Sequence, residues 1–449
     1  MNPEFVRNAW IESRFHRFAL ATAAVGLIAL VGAATSDSAL GPLGQAGAFV
    51  FLVFMGSHAA ALSIIGEVRN RTWDQQRLSA LDPWSMVWGK LLGATLLAWF
   101  GGLLCVAILL IDMATSEGWS DVPRTLAKYV CLGVMAQGTA MLAALVTIDR
   151  FESVGRLQTF RAQLAGIGAG FAVAAAWPEN DAGGPFVASW WGRAIDAESF
   201  ALASLAVFTG WVLVGCHRLM RRELAVVNGP YVLMGFLAFL AAYVAGLDGL
   251  LEDWSDDGIH GADMRLLIML STLVAATLVL VVAERKDPVL YRTMFLNLRR
   301  VRFWPRVLRE AQGWMLAWLG AALVVALILL HALLPEEMRD ALGLGGSLPT
   351  FDKDVSLVVL ALSALGFLTR DCALFVLCNG RRPSPRADSA LIVALVLGYV
   401  ATTWLLVLND VEWLMPVFVP VPRVEFAYGI AAAWIEAAVA MWLARRRLA

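Results

Sequence analysis

Apolar runs of about 20 residues recur along the whole chain, each closed by arginines or by acidic, glycine-bearing segments. They fall at 18–35, 46–65, 91–111, 129–148, 163–177, 200–216, 231–247, 264–283, 315–334, 355–378, 390–408 and 426–443. A hydrocarbon core about 30 Å thick is crossed by about 20 helical residues. The pattern therefore predicts an all-α polytopic membrane protein with about 12 transmembrane helices. The fifth run, QLAGIGAGFAVAAAW, is short and rich in Gly and Ala, which fits a tilted, broken or tightly packed helix. Composition agrees with the pattern. Hydrophobic residues make up 59% of the 449 positions and charged residues 16%, with a mean hydropathy of +0.70. A soluble domain carries roughly 25% charged residues, so a soluble enzyme, a nucleic-acid binder and a disordered scaffold are excluded.

Net charge is −1, but its distribution is uneven. With the N-terminus inside and the loops assigned alternately, 27 Lys/Arg fall on inner segments and seven on outer ones, Arg265 at the outer edge of its run counted among the seven, leaving Arg370 within a span. The acidic residues divide the other way, 22 outside and 12 inside, with Asp371 and Glu436 within spans. That bias is the positive-inside rule for both termini in the cytoplasm. No removable signal peptide is expected, because the first apolar run follows an arginine-bearing amphipathic stretch with no cleavage site. The five cysteines lie in or beside apolar runs and lack metal-ligand spacing.

The runs divide into two six-helix halves, 18–222 and 231–449, around a cytoplasmic linker at 223–230. Each half has a long inner loop after its second run and a shorter basic one after its fourth. An aromatic outer segment precedes the last run of each half, and an arginine cluster closes it. Parallel repeats of this kind are common in transporters, where two bundles frame a path. Residues 1–17 form a separate element. Asn2 and Pro3 suit a helix start. Phe5, Trp10 and Phe15 can then face lipid while Arg7, Arg14 and Arg17 face headgroups, so an interfacial amphipathic helix is expected.

The inner loop at 66–93 is the most specific stretch. After a polar, helix-permissive middle, Asp82 and Pro83 supply a cap and a first turn, and the new helix runs through Trp84, Trp88 and Lys90 into the third span. A short helix outside the membrane followed by a fixed re-entry is a surface that a soluble partner can push against. The order Glu67, Thr72-Trp73, Arg77-Leu78, Leu81, Pro83, Gly89-Lys90 between spans two and three resembles the permease subunits of ABC-2 type transporters. By that resemblance the N-terminal helix is the family's connecting (elbow) helix, and the aromatic outer segments are short re-entrant helices. Residues 67–82 would be the coupling helix docked on a cytoplasmic ABC ATPase, present in two copies and binding ATP and Mg. The candidate coupling residues are then Glu67, Arg69, Thr72, Trp73, Arg77, Leu81, Pro83 and Lys90, with Glu284 and Arg292 in the second half. There the 284–314 loop keeps Glu284 and Arg292-Thr293 but lacks the leucine–proline and glycine–lysine elements, so a basic amphipathic helix on anionic lipid is the alternative. The family's chains commonly carry six spans and dimerise, whereas twelve would put both halves in one polypeptide.

The chain has no phosphate-cradling G-x-x-x-x-G-K-[ST] loop, so any nucleotide belongs to a separate subunit and the chain itself is not expected to be an enzyme or to hold a cofactor. Arg370, Asp371 and Glu436 each cost a few kcal/mol in a span unless paired or facing water. As sequence neighbours on a helix, Arg370 and Asp371 are expected to find different partners. His58 and Gln137 are expected to pack or hydrogen-bond between helices, and the acidic outer segment at 248–263 to be solvated. The expected function is the permease subunit of an exporter in a bacterial cytoplasmic (inner) membrane. A secondary transporter using Arg370, Asp371 and Glu436 in ion coupling is the alternative, and a non-transporting assembly factor the weakest one. The expected partners are the ATPase and membrane lipids, with a second copy or a further membrane subunit open and nucleic acid excluded.

Overall fold

The computed structural model describes residues 2–35, 39–78, 81–116, 118–150, 155–178, 187–226, 228–248, 261–284, 291, 311–334, 356–379 and 385–448. Among the described residues nine helices are long and apolar enough to cross a membrane. All twelve expected runs are helical. Three of them are not among the nine: Tyr231–Ala245 has only 15 residues, while Arg156–Ala175 and Tyr428–Leu448 carry arginines at one end. The chain is an all-α membrane-embedded protein made of two compact units, Met1–Ala188 with Ile195–Asn228, and Ser189–Ala194 with Gly229–Ala449.

The first unit opens with α1 (Pro3–Glu12), capped by Asn2 Oδ1 on the N–H groups of Glu4 and Phe5. It continues through α2 (Phe15–Thr35), α3 (Leu40–Phe49), a π-helical turn (Val50–Met55), α4 (Gly56–Arg69), α5 (Trp73–Arg77), α6 (Pro83–Gly93), α7 (Leu96–Ser116), α8 (Val122–Arg150), α9 (Arg156–Ala175) and, after a hairpin, α10 (Ala197–Glu223). The π turn sits inside the second span. It re-registers the carbonyl ladder, a departure that π-bulges make at functional positions. Gln137 Nε2 on α8 donates to its Leu52 carbonyl at 3.1 Å, so Gln137 does serve interhelical packing. The fifth helix is unbroken and packed tightly: a Cβ on Gly170 would stand 2.5 Å from Val53. Small residues allow that approach where lipid offers no hydrophobic drive between helices.

The second unit contains α11 (Tyr231–Ala245), α12 (Gly261–Ala283), α13 (Gly313–Leu333), α14 (Leu357–Asn379), α15 (Pro385–Leu408), the short α16 (Met415–Phe418) and α17 (Tyr428–Leu448). Its core joins Leu237, Leu270, Leu316, Val325, Leu365 and Phe375 from α11 to α14. Helices α14 and α17 pack closely, with Gly366 under Ala433. The aromatic outer segment before α17 does contain a short helix, α16. In the one before α10 the described residues Val187–Trp190 and Arg193–Asp196 form an antiparallel hairpin turned by Trp191 and Gly192, both at positive φ. Two successive left-handed residues make the tight primed turn whose twist suits a two-residue hairpin; residues 179–186 of the segment lie outside the described residues. Its tip belongs to the second unit. Trp191 N–H donates to the Gly246 carbonyl at 2.8 Å. Asp248 accepts from Ser189 Oγ at 2.7 Å, from Gly192 N–H at 2.6 Å and from Arg265 at 2.7 Å, and Arg265 stacks over Trp191.

Candidate functional site: a buried ion cluster behind a short exposed helix

Lys90 lies on α6 in the apolar stretch PWSMVWGKLLG and is fully buried. An ammonium in that setting needs carboxylates within contact distance, and two are supplied from different elements. Nζ donates to Glu67 Oε2 at the end of α4 (2.6 Å) and to Glu4 Oε1 on α1 (2.8 Å). Arg7 closes the ring, pairing with Glu4 at 2.9 Å and with Glu67. Asn8 donates to Glu4 at 3.1 Å, and Gln76 on α5 donates to Glu67 at 2.6 Å. Two cations face two carboxylates, so the buried charge is balanced and its hydrogen bonds are shared among α1, α4, α5 and α6.

Backbone geometry permits the convergence. Asp82 caps α6 through the N–H groups of Trp84 and Ser85, with Pro83 at the first turn. Gly89 and Gly93 then present a bare helix face to α1. A Cβ on Gly89 would stand 2.7 Å from Glu4 Cβ and 2.8 Å from the Phe5 nitrogen. Helix α1 is thereby turned so that Glu4 and Asn8 face the protein while Trp10 and Phe15 are exposed. Arg7 reaches back to the two inward carboxylates while its side chain stays 40% exposed, so it pairs with the cluster as well as facing outward.

The coupling candidates separate into two groups. Glu67, Trp73 and Lys90 are drawn together, with Lys90 Nζ 5.5 Å from the Trp73 ring centre and Trp73 Nε1 donating to Glu223 at 3.4 Å. Leu81 is half-buried against the same core, and Pro83 starts α6. Arg69, Thr72 and Arg77 stay exposed, together with Asp74, Gln75 and Leu78. Leu78 is 88% exposed, an apolar side chain left uncovered at the tip of the element. Thr72 Oγ1 donates to the Glu67 carbonyl at 3.2 Å, and Arg77 Nε to the Glu223 carbonyl at 2.8 Å, which ties α5 to α4 and α10. Helix α5 is thus a short element with a buried back and an exposed face. Glu4, Arg7, Asn8 and Gln76 were not among the candidates. The signal for them is Lys90 itself, a lone lysine in an apolar helix that requires acids from elsewhere.

In the second unit Glu284 behaves differently from Glu67. Its Oε1 accepts from the Gly313 N–H at 2.9 Å, placing a carboxylate at the N-terminus of α13, where the helix dipole favours it. Arg292 and the rest of 285–310 other than Tyr291 lie outside the described residues, as do 249–260 of the acidic outer segment.

A second charged constellation sits inside the spans. Arg370 donates to Asp371 at 2.9 Å, to Glu436 on α17 at 2.6 Å and to Tyr399 Oη on α15 at 2.6 Å, and Tyr399 donates to Asp371 at 2.8 Å. The expectation of separate partners for Arg370 and Asp371 is overturned. A guanidinium on a long stem folds back to its neighbour, and Tyr399 serves both. Among the described residues two carboxylates share this one guanidinium.

His58 Nδ1 lies 3.1 Å from Gln163 Oε1, a hydrogen-bonded pair rather than a metal ligand set. No protein-family model, curated protein or solved structure matches the chain.

Proposed function

We propose that this chain is the transmembrane permease subunit of an ABC-2 type exporter, driven by a separate cytoplasmic ABC ATPase that binds ATP and Mg. The observation that carries the reading is α5, whose back is fixed to a buried, charge-balanced cluster while Asp74, Arg77 and Leu78 face outward. A push on such an element is transmitted to α4, α6 and α1 together, because interlocked ion pairs and close glycine packing leave little slack between them. The motif between spans two and three and the N-terminal elbow-like helix support the same reading, as does the positive-inside bias that places α5 in the cytoplasm. In this reading twelve spans in two halves form one pathway in a bacterial inner membrane. The second half couples, if at all, through 284–314.

Charge reversal at Glu67 is the wrong probe, since it would break the buried cluster. The exposed face is the right one. With a candidate ATPase co-expressed, Asp74→Arg with Leu78→Asp is expected to abolish co-purification and leave the melting temperature of the permease unchanged, as substitutions on exposed positions do within about 0.5 kcal/mol. Retention of the ATPase with unaltered turnover would overturn the coupling assignment. The second reading, an ion-coupled secondary transporter, is favoured by one observation, the Arg370–Asp371–Tyr399–Glu436 constellation at mid-span. It predicts ion-driven uptake in vesicles without an ATPase, sensitive to Asp371→Asn.

A further inference from the structure

The first unit contains a groove of about 680 Å³ running from Phe54 in the π turn along α4 to Asn70, within the range of ligand pockets. At 1.5 Å per residue that stretch is about 24 Å long, more than one leaflet of hydrocarbon. Its walls are largely apolar, with Met55, Leu62 and Leu97 among them, and its polar end carries Arg69 and Asn70. The charged groups around it are unequally engaged. Glu67 is held by Lys90 and Arg7, and Arg17 by Glu12 at 2.5 Å. Arg69 is exposed and has no ion pair among the described residues, and His58, three turns deeper, is exposed with only its Nδ1 bonded.

We propose that this groove is a specific site for one anionic phospholipid of the surrounding bilayer, its phosphate at Arg69 and Asn70 and its acyl chain along Leu62, Leu97 and Met55. The phosphate answers the uncompensated guanidinium. The acyl chain fills the apolar wall formed by Met55, Leu62 and Leu97, which a freely diffusing anion would leave empty. Because α1 and α4 both line the groove through Asn8, Glu12 and Glu67, the bound lipid touches the elements that carry the ion cluster. The proposal does not depend on the permease reading, and its test uses no ATPase.

Native mass spectrometry of the full chain, reconstituted with phosphatidylglycerol or phosphatidylcholine, reads the site directly. Phosphatidylglycerol is expected to be retained about fivefold more strongly, the contribution of one basic side chain to an anionic lipid. Arg69→Ala should remove that preference, and Ala59→Phe, which fills the groove, should remove both lipids. Inorganic phosphate should not displace the adduct; displacement would assign the site to a free anion. Equal retention of the two lipids, or an adduct that survives Ala59→Phe, overturns the proposal. If Ala59→Phe fails to fold, a diazirine-bearing phosphatidylglycerol on the unmodified chain decides. Labelling of residues 54–70 supports the site, and labelling confined to other helices overturns it.

Discussion

The two units each bury a charged network, and the networks are built on opposite principles. In the first unit Lys90 and Arg7 face Glu4 and Glu67, cation for anion, at the junction of helix ends. In the second, Arg370 is the one cation among the described residues that faces Asp371 and Glu436, midway along three helices. The same contrast appears at the glutamates that close the second helix of each unit. Glu67 binds side chains from three other elements, and Glu284 accepts from the N-terminal Gly313 N–H of α13. A balanced, many-element cluster fixes geometry. A single cation shared between two carboxylates has a spare charge to exchange. The first arrangement suits force transmission, and the second is where ion coupling would act if the chain has it.

The most severe way to break the comparison is to remove the buried cation of the balanced cluster. Lys90→Met leaves Glu4 and Glu67 sharing Arg7 alone, and breaking a buried pair on one side costs about 3–5 kcal/mol. Thermal melting in detergent should show a large drop, and Glu4→Gln combined with Lys90→Met should recover much of it, because Arg7 then balances Glu67. A Lys90→Met chain that melts like the unmodified protein would mean the cluster does not hold α1, α4 and α6 together.

Much of this was legible in the chain. Asn2-Pro3 and Asp82-Pro83 announced helix starts that occur with the expected side-chain caps, because capping is local chemistry. The helical runs followed from apolar length alone. What was not legible depended on tertiary pairing. The inward turn of Arg7 required knowing that Gly89 and Gly93 admit α1 so closely. The meeting of Arg370, Asp371 and Tyr399 required the packing of α14 against α15. The hairpin at Val187–Asp196 was not expected, because a left-handed Trp191–Gly192 pair, held by Gly246, sets a turn that aromatic content does not reveal.

A smaller effect sharpens the other side of the contrast. Glu436→Gln leaves Arg370 with Asp371 and Tyr399, one cation to one carboxylate, so the second network should tolerate it better than the first tolerates Lys90→Met. The expected loss is about 1–3 kcal/mol, that of one hydrogen bond to a charged group. If Glu436→Gln instead costs as much as Lys90→Met in the same melting assay, the spare carboxylate is structural and the division of roles between the two networks fails.

The smallest effect comes from Asp248, which itself lies outside the spans and whose partners resemble those of the buried clusters. Burial alone would raise its acid constant's pKa, but the hydrogen bonds from Ser189 and Gly192 and the nearby Arg265 hold it below the usual carboxylate range. A carboxylate with a depressed folded-state pKa contributes stability that is fully present above its unfolded value of about 3.9 and is lost as pH falls through the folded one. The charge itself acts mainly through the pair with the partly exposed Arg265, a contribution of about 1 kcal/mol. The melting difference between the unmodified chain and Asp248→Asn should therefore be small at neutral pH and should shrink on acidification below about pH 4. A difference that stays constant across that range would show that the Ser189 and Gly192 contacts hold the hairpin tip without the charge. Location, rather than the number of partners, would then cease to explain why the buried clusters matter more.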